Sequence, residues 1–176
     1  MCVARLNPVK QLDVLIRACG ILRDRQVAFR CVIVGDGPEH VALHILRAQL
    51  RLEDLIAMPG AADQALVRAW WRRATVAVLS SRSEGMPVCL MEAAACGVPA
   101  VAPAVGGVAE LIEHGVTGLV TRPDDPLELA DALHRLLSNR PMRDSMRLAA
   151  RARAEARFSR RQQIDDLLTM WSTVVH

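Results

Sequence analysis

The chain has 176 residues, 52% of them apolar, and a net charge of +3; that allows one ordinary domain with a packed core and is too short for two large ones. No apolar run is long enough to span a bilayer, and MCVARLNPVK lacks the long apolar stretch of a secretory signal, so a cytoplasmic protein is expected. Aromatics at 3% exclude a stacking platform for single strands, and the Arg-rich stretch from Arg140 to Arg161 carries Met146, Leu148 and Ala at helical spacing, so it reads as a solvated helical face and no nucleic-acid partner is expected.

In chain order the pattern alternates. Met1 to Ala4 is a short apolar strand. Pro8 to Arg23 repeats apolar residues at helical spacing. Phe29 to Val34 is a strand ended by Gly35-Asp36-Gly37-Pro38, and a helix follows from about Glu39 to Leu50. Leu55 to Met58 is a brief strand, Ala62 to Arg73 a helix, and Thr75 to Leu79 another strand. A helix from about Pro87 to Cys96 closes on Gly97 as a left-handed cap. Val98 to Ala102 and Gly118 to Thr121 are strands, with a short helix around Leu111 and Ile112 between them. Helices then run over Pro126 to Ser138, Pro141 to Arg157, and Arg160 to about Val174. The start at Asp125-Pro126 has an N-cap followed by Pro at the first helical position. Apolar strands separated by helices predict an α/β fold: a single Rossmann-like, doubly wound parallel sheet of about six strands flanked by helices, covering residues 1–176 as one domain. Ligands are then expected outside the carboxyl ends of the strands.

Five cysteines (Cys2, Cys19, Cys31, Cys89 and Cys96) form no CxxC pair and sit among apolar neighbours, which predicts buried reduced thiols. His40 and His44 are spaced i,i+4 without an HExxH setting, so a solvated face is expected rather than a zinc site. GDGP is not GxGxxG, and no GxxxxGK[ST] is present, so neither dinucleotide nor P-loop chemistry has a motif. Of the 22 basic residues, one is Lys, at Lys10. Either composition bias left one stray Lys, or this spot needs a compact ammonium rather than a planar fork.

The stretch SEGMPVCLMEAAACG, residues 83–97, holds two acids, Glu84 and Glu92, in an otherwise uncharged run. The preceding strand delivers Ser80 to Met86 to the carboxyl edge as a loop. Pro87 suits a first helical turn, and the free N–H groups of Val88, Cys89 and Leu90 would make the helix start an anion site. Gly85 lets a ligand approach the backbone closely. Glu92, one turn in, leans back toward that start and would suit vicinal hydroxyls such as a ribose. Glu84 at the mouth could accept from hydroxyls of a second polar group. A nucleotide diphosphate sugar has that layout. The alternative stays open that Glu92 lies on a solvated helix side and Glu84 is a loop acid. Arg5 and Lys10 follow the first strand at the same edge; they would neutralise a diphosphate leaving group or are simply exposed.

ARLNPVK, FRCVIVGDGPE and SSRSEGMPVCLMEAAACGVPAVAPAVGGVAELIEHGVTGLV together resemble the C-terminal, donor-binding half of the retaining GT-B glycosyltransferases (glycosyltransferase group 1, family 4). The strongest element is E-x7-E, Glu84 to Glu92. The resemblance implies that Arg5 and Lys10 act on the donor diphosphate, that Glu84 contacts the donor sugar and Glu92 the ribose. It also implies that amides of Met86, Pro87-flanking Val88, Cys89 and Leu90 help hold phosphate and sugar, and that Ala57 to Gly60, with Met58, lies against the base. It implies transfer with retention, a nucleotide diphosphate sugar as donor, no metal or other cofactor in the site, and a place in polysaccharide biosynthesis. Two departures stand out. The family has Gly where Ala4 stands, and its enzymes carry an N-terminal acceptor-binding domain for which 176 residues leave no room. Any peripheral membrane association would belong to that other half, and the last helix, residues 160–176, would pack toward it; the stripe Ile164, Leu167, Leu168 and Trp171 is then either partly exposed, which favours a partner chain, or packed on the sheet domain. Competing expectations are a non-catalytic remnant or subunit that binds a nucleotide sugar beside a separate acceptor chain, and a sugar-nucleotide epimerase, which would need acid–base residues that no His near the site supplies.

Overall fold

The computed structural model describes residues 1–158, Ile164 and residues 168–171. Two three-stranded parallel sheets form its centre. One has the order β1-β2-β3, with β1 at Cys2–Val3, β2 at Cys31–Val34 and β3 at Ile56–Gly60. The other has the order β4-β5-β6, with β4 at Ala77–Val78, β5 at Ala100–Pro103 and β6 at Gly118–Thr121. Met1 links them. Its amino group donates to the Val76 carbonyl at 2.8 Å, and its carbonyl accepts from the Val78 amide at 3.0 Å. That is one rung of a parallel ladder, so the strands run 3-2-1-4-5-6 across the molecule, with the reversal of order between β1 and β4. The expected single sheet is thus present as two halves whose continuity depends on one residue.

The strands are buried because helices cover them. α1 (Leu12–Asp24) buries Leu12, Val14, Leu15, Ile16, Cys19 and Leu22, and packs on α2 (His40–Gln49) and α6 (Pro126–Ser138). Fully burying each such Leu or Ile contributes about 1.5–3 kcal/mol. α4 (Val88–Ala95) packs on α3 (Gln64–Trp71) and on α7 (Arg140–Arg157). α5 (Val108–Leu111) is a single short turn after β5. Asp125 caps α6 by accepting from the Glu128 amide at 2.9 Å, and Gly97 ends α4 at φ +69°, both as the sequence predicts.

The expected helix from Pro8 is broken near its start. Pro8–Lys10 is one 3₁₀ turn, Gln11 takes φ +45°, and α1 begins only at Leu12. Asn7 and Gln11 offer no side-chain cap, so the first turn tightens and the chain resets through a left-handed residue. β2 also begins later than expected, at Cys31, because Phe29 and Arg30 have no paired neighbour strand beside them. Most of the expected last helix, Arg160 to Val174, lies outside the described residues; Ile164, Leu168, Met170 and Trp171 are exposed. Among the described residues no helix is long and apolar enough to cross a membrane.

Candidate functional site

The carboxyl edge of the sheet is assembled by backbone contacts that only glycine permits. After β2, Gly35 lies so close to the Ala4 carbonyl that a Cβ would stand 1.8 Å from its oxygen, and one on Gly37 would stand 2.4 Å from the Leu6 oxygen. The Leu6 amide donates to the Asp36 carbonyl at 2.9 Å, and the Glu39 amide to the Leu6 carbonyl at 2.9 Å. The GDGP turn therefore clamps the loop that carries Arg5. On the other side of the switch point, a Cβ on Gly106 would stand 1.7 Å from the Glu84 oxygen, and the Gly107 amide donates to the Gly85 carbonyl at 2.8 Å. Gly106-Gly107 is the floor on which the Glu84 loop rests.

Glu84 and Lys10, 74 residues apart, meet. The Lys10 ammonium donates to both carboxylate oxygens, at 2.7 and 2.9 Å, and the Ser81 hydroxyl adds a 2.5 Å hydrogen bond. The Glu84 side chain is only 7% exposed and that of Lys10 22%. Such a pair is costly to desolvate and costly to break from one side. In the structure the anion that Lys10 faces is this carboxylate. The ammonium, with three donors, bridges both oxygens and keeps one donor to offer, as a compact point charge rather than a planar fork.

A second tier, which local sequence pattern does not mark, holds the pair. The Ser80 hydroxyl donates to the Lys10 carbonyl at 2.9 Å, and the Arg82 amide to the Val9 carbonyl at 2.9 Å. Asp124, at φ +61°, accepts from the Gln11 amide group at 2.5 Å through one oxygen and from the Arg82 guanidinium at 2.9 Å through the other. Gln11 is buried. One carboxylate thus ties the residue after Lys10 to the loop that leads into Glu84. The available signal was the doubled acid in Arg122-Pro123-Asp124-Asp125, where only one Asp is needed as an N-cap.

The helix start differs from expectation in two ways. Pro87 is the N-cap of α4 rather than its first residue, with ψ +97°. The Leu90 amide is not free, because it donates to the Pro87 carbonyl at 3.0 Å. Without a side-chain cap the first turn closes in 3₁₀ fashion and uses that donor. The amides of Val88 and Cys89 donate to no backbone carbonyl, and Val88 and Met86 are exposed beside them. Arg5 is exposed and pairs with no carboxylate among the described residues. Glu92 is half-buried, and the Gln64 side chain donates to it at 3.4 Å from the first turn of α3. It is therefore not on a fully solvated helix side. Met58 is half-buried at the carboxyl end of β3.

Cys89 reports the electrostatics between the two acids. Its thiol is pushed up to about 12 by burial first, then by the negative charge of Glu84, with Lys10 opposing and Glu92 adding to the rise. One sulfur therefore feels both acids and the ammonium. All five cysteines are free thiols; Cys2, Cys19 and Cys31 are buried, as expected. His40 and His44 stack with ring centroids 4.3 Å apart. Among the described residues no three His, Cys, Asp or Glu side chains gather as a metal site.

Solved and sequenced proteins resemble this arrangement. The glycosyltransferase AmsK of amylovoran biosynthesis in Erwinia amylovora is 36% identical over 163 residues, which are 89% of this chain and 40% of that protein. Alr3699/HepE of Anabaena, crystallised in complex with UDP, superposes with a TM-score of 0.85 at 28% identity, covering 96% of this chain and 48% of that one. The C-terminal domain of the group 1 glycosyl transferase LpcC from Francisella tularensis superposes with a TM-score of 0.82 at 20% identity, covering 90% of this chain and 85% of that one, a likeness of fold. The sheet and its helices are those of the C-terminal domain of GT-B glycosyltransferases. The chain spans 34–40% of the length of four curated glycosyltransferases that it resembles. With a family model matching residues 1–153, the chain belongs to the glycosyl transferases of group 1.

Proposed function

We propose that this chain is the donor-binding part of a retaining glycosyltransferase, taking a sugar from a nucleotide diphosphate sugar to an acceptor held elsewhere. The observation that carries the reading is the Lys10–Glu84 pair together with the two open amides of Val88 and Cys89, with Arg5 on the loop that follows the first strand. A diphosphate brings negative charge to a place with one free guanidinium, a partly satisfied ammonium and a helix start. Arg5 and Lys10 then stabilise the leaving diphosphate as its charge develops. Phosphate oxygens drawing on Lys10 loosen its hold on Glu84, and the carboxylate turns its freed lone pairs to hydroxyls of the donor sugar. Glu92 takes the ribose hydroxyls in place of its long contact to Gln64, and the segment at Met58 and Gly60 lies along the base. Gly85 and Met86 line the sugar side, and Pro87 sets the helix start without occupying a donor. Leu90 contributes packing only, since its amide is already used. Retention follows if the departing phosphate takes the acceptor proton on the face the sugar leaves.

UDP is the first nucleotide to try, because the neighbour HepE was crystallised with it. Polysaccharide biosynthesis is the proposed setting, given the relative named for amylovoran. No metal is assigned a role in the site. The test is calorimetric titration of the purified chain with UDP, GDP and ADP and with their hexose conjugates. Saturable binding to one base, weakened at least about tenfold by Arg5→Ala and by Glu92→Ala, is expected. Glu84→Ala is expected to weaken the sugar conjugate more than the bare nucleotide. Binding to no nucleotide by a folded chain would overturn the proposal, and equal losses for UDP alone in both Glu variants would overturn the division of their roles.

A further inference from the structure

Among the described residues four other than glycine hold a left-handed backbone: Gln11 at φ +45°, Gln26 at +58°, Arg51 at +53° and Asp124 at +61°. Two of them end helices. Gln26 follows the cap of α1 and Arg51 that of α2, and the next amide closes back on the helix in each case, Val27 on the Leu22 carbonyl and Leu52 on the Arg47 carbonyl. The other two end no α-helix, and they meet each other. The Gln11 side-chain amide donates to Asp124 at 2.5 Å, across 113 residues. Asp takes this backbone conformation more readily than most residues; Gln does not.

Gln11 carries a second cost. It is only 7% exposed, yet its side-chain carbonyl oxygen is buried with no donor among the described residues. Two costs at one residue persist only where the surroundings over-determine it. Gln11 directly follows Lys10, and the chain is pinned on both sides of their junction. The Ser80 hydroxyl holds the Lys10 carbonyl at 2.9 Å, and the Gln11 carbonyl accepts from the Val14 amide at 3.0 Å. The contacts then close a ring. Lys10 reaches Glu84; Arg82, two residues before Glu84, reaches Asp124; Asp124 returns to Gln11 beside Lys10. Both partners of the Lys10–Glu84 pair are thereby referred to one carboxylate.

We infer that Gln11 is a positioning residue of the donor site: its left-handed turn, clamped through Asp124, fixes where the Lys10 backbone stands, so that the ammonium passes from Glu84 to a diphosphate while the chain behind it stays in place. The ammonium ends a flexible four-carbon stem, so its reach is set by the backbone from which the stem starts. Gln11 itself touches no ligand and acts through Lys10. The diphosphate in this role comes from the donor reading, on which the inference rests; the turn and its hold on Lys10 do not depend on it.

Gln11→Gly and Gln11→Ala separate strain from positioning. Both remove the tie to Asp124; Gly also relieves the left-handed conformation, and Ala keeps it. Gln11→Gly is expected to unfold at a higher midpoint than Gln11→Ala, yet both are expected to bind the nucleotide that the unaltered chain prefers, among UDP, GDP and ADP, at least about fivefold more weakly. A merely structural role would make affinity follow the midpoint. Lys10 is the one lysine, so a chain grown with 13C-lysine gives a single set of side-chain signals. Its two Cε protons are expected at separate shifts in the unaltered chain, where the ammonium is held, and merged in both variants. In an Asp124→Ala background Gln11→Gly is expected to weaken binding by less than about twofold more, because the tie is already gone. Unchanged affinity in the two Gln11 variants would overturn the inference. So would separate Cε signals in both, a full further loss in the Asp124→Ala background, or a midpoint for Gln11→Gly no higher than that of Gln11→Ala. If the unaltered chain binds no nucleotide, the donor reading has failed and the lysine signals decide alone: merging supports the hold of Gln11 on Lys10, and separate signals overturn it.

Discussion

At the carboxyl edge of the sheet, glycines bring backbone onto backbone and polar side chains pair across the two halves: Lys10 on Glu84, Ser81 on Glu84, Gln11 and Arg82 on Asp124. At the amino edge, the same two half-sheets part around an apolar cavity and leave the buried Val76 amide unused. One edge is rigid and charged before any ligand arrives; the other is held together by a single residue, Met1. The difference teaches that the two ends of one sheet are specified separately. Strand registry fixes both, but the carboxyl edge is additionally locked by contacts that tolerate no Cβ, and binding chemistry belongs where geometry is over-determined.

The harshest way to break the contrast is to unlock the polar edge. Gly106→Ala puts a Cβ 1.7 Å from the Glu84 oxygen at a residue with φ +48°. Since the obstacle is backbone, the Glu84 loop has to move. A loss of about 3 kcal/mol or more in urea unfolding is expected, together with loss of nucleotide binding. Gly60→Ala offers the comparison: φ is +87° but nothing lies within 4 Å of the added carbon. Its cost is expected near the left-handed backbone penalty alone, roughly 1–2 kcal/mol. Equal costs at the two positions would mean that close approach is not what locks this edge.

A smaller effect is expected from changing charge geometry without changing charge. Lys10→Arg keeps the cation but replaces a bridging ammonium by a planar fork in a space already bounded by Glu84 and Ser81. Nucleotide affinity is expected to fall about tenfold, or roughly 1.4 kcal/mol, with little change in unfolding midpoint. Unchanged affinity would mean that the lone Lys reflects composition rather than the site. Smaller again is Asp124→Asn, which removes the charge that faces Arg82 while keeping an acceptor for Gln11. Asp124 acts through its neighbours, so a loss of about threefold in affinity is expected, reversed in part by Asp124→Glu. A loss as large as that of Lys10→Arg would mean that Asp124 meets the ligand itself.

Much of the polar edge is legible in the sequence and little of the apolar one. Local pattern marks the strands, the α6 cap at Asp125, the Gly97 stop and the acids Glu84 and Glu92, because each rests on neighbours within a turn or two. Composition alone points to Lys10. Its partner is not legible, because the two residues lie 74 apart and meet only when β1 and β4 become neighbours. Gln11 and Asp124, 113 apart, are hidden for the same reason, and Gln11 also takes a left-handed conformation that its residue type does not advertise. The Leu90 amide looks available until the uncapped Pro87 tightens the turn and takes it. The cavity at the amino edge is the extreme case. It depends on the offset between strands in two separate ladders, which no local pattern encodes.

The smallest effect sharpens the comparison most, because it reads the field of the site without a ligand. The Cys89 thiol is pushed up to about 12 by burial, with Glu84 next in size and Lys10 opposing. The reacting species is the thiolate. At pH 8 that form is scarce, so alkylation of Cys89 by a small reagent is expected to be slow and to rise about tenfold for each pH unit up to roughly pH 11, the slope of a single titration well below its midpoint. Glu84→Gln removes the nearer negative charge, so the thiolate is favoured and the reaction quickens at every pH below 11. Lys10→Met removes the opposing positive charge, so it slows. Glu92→Gln quickens it by less than Glu84→Gln does. Opposite signs for the Glu84 and Lys10 variants are the outcome that matters, since a mere opening of the structure would quicken both. If both variants react faster, the Lys10–Glu84 pair is a structural clasp over Cys89, and the field that would receive a diphosphate has to be sought at Arg5 and the start of α4.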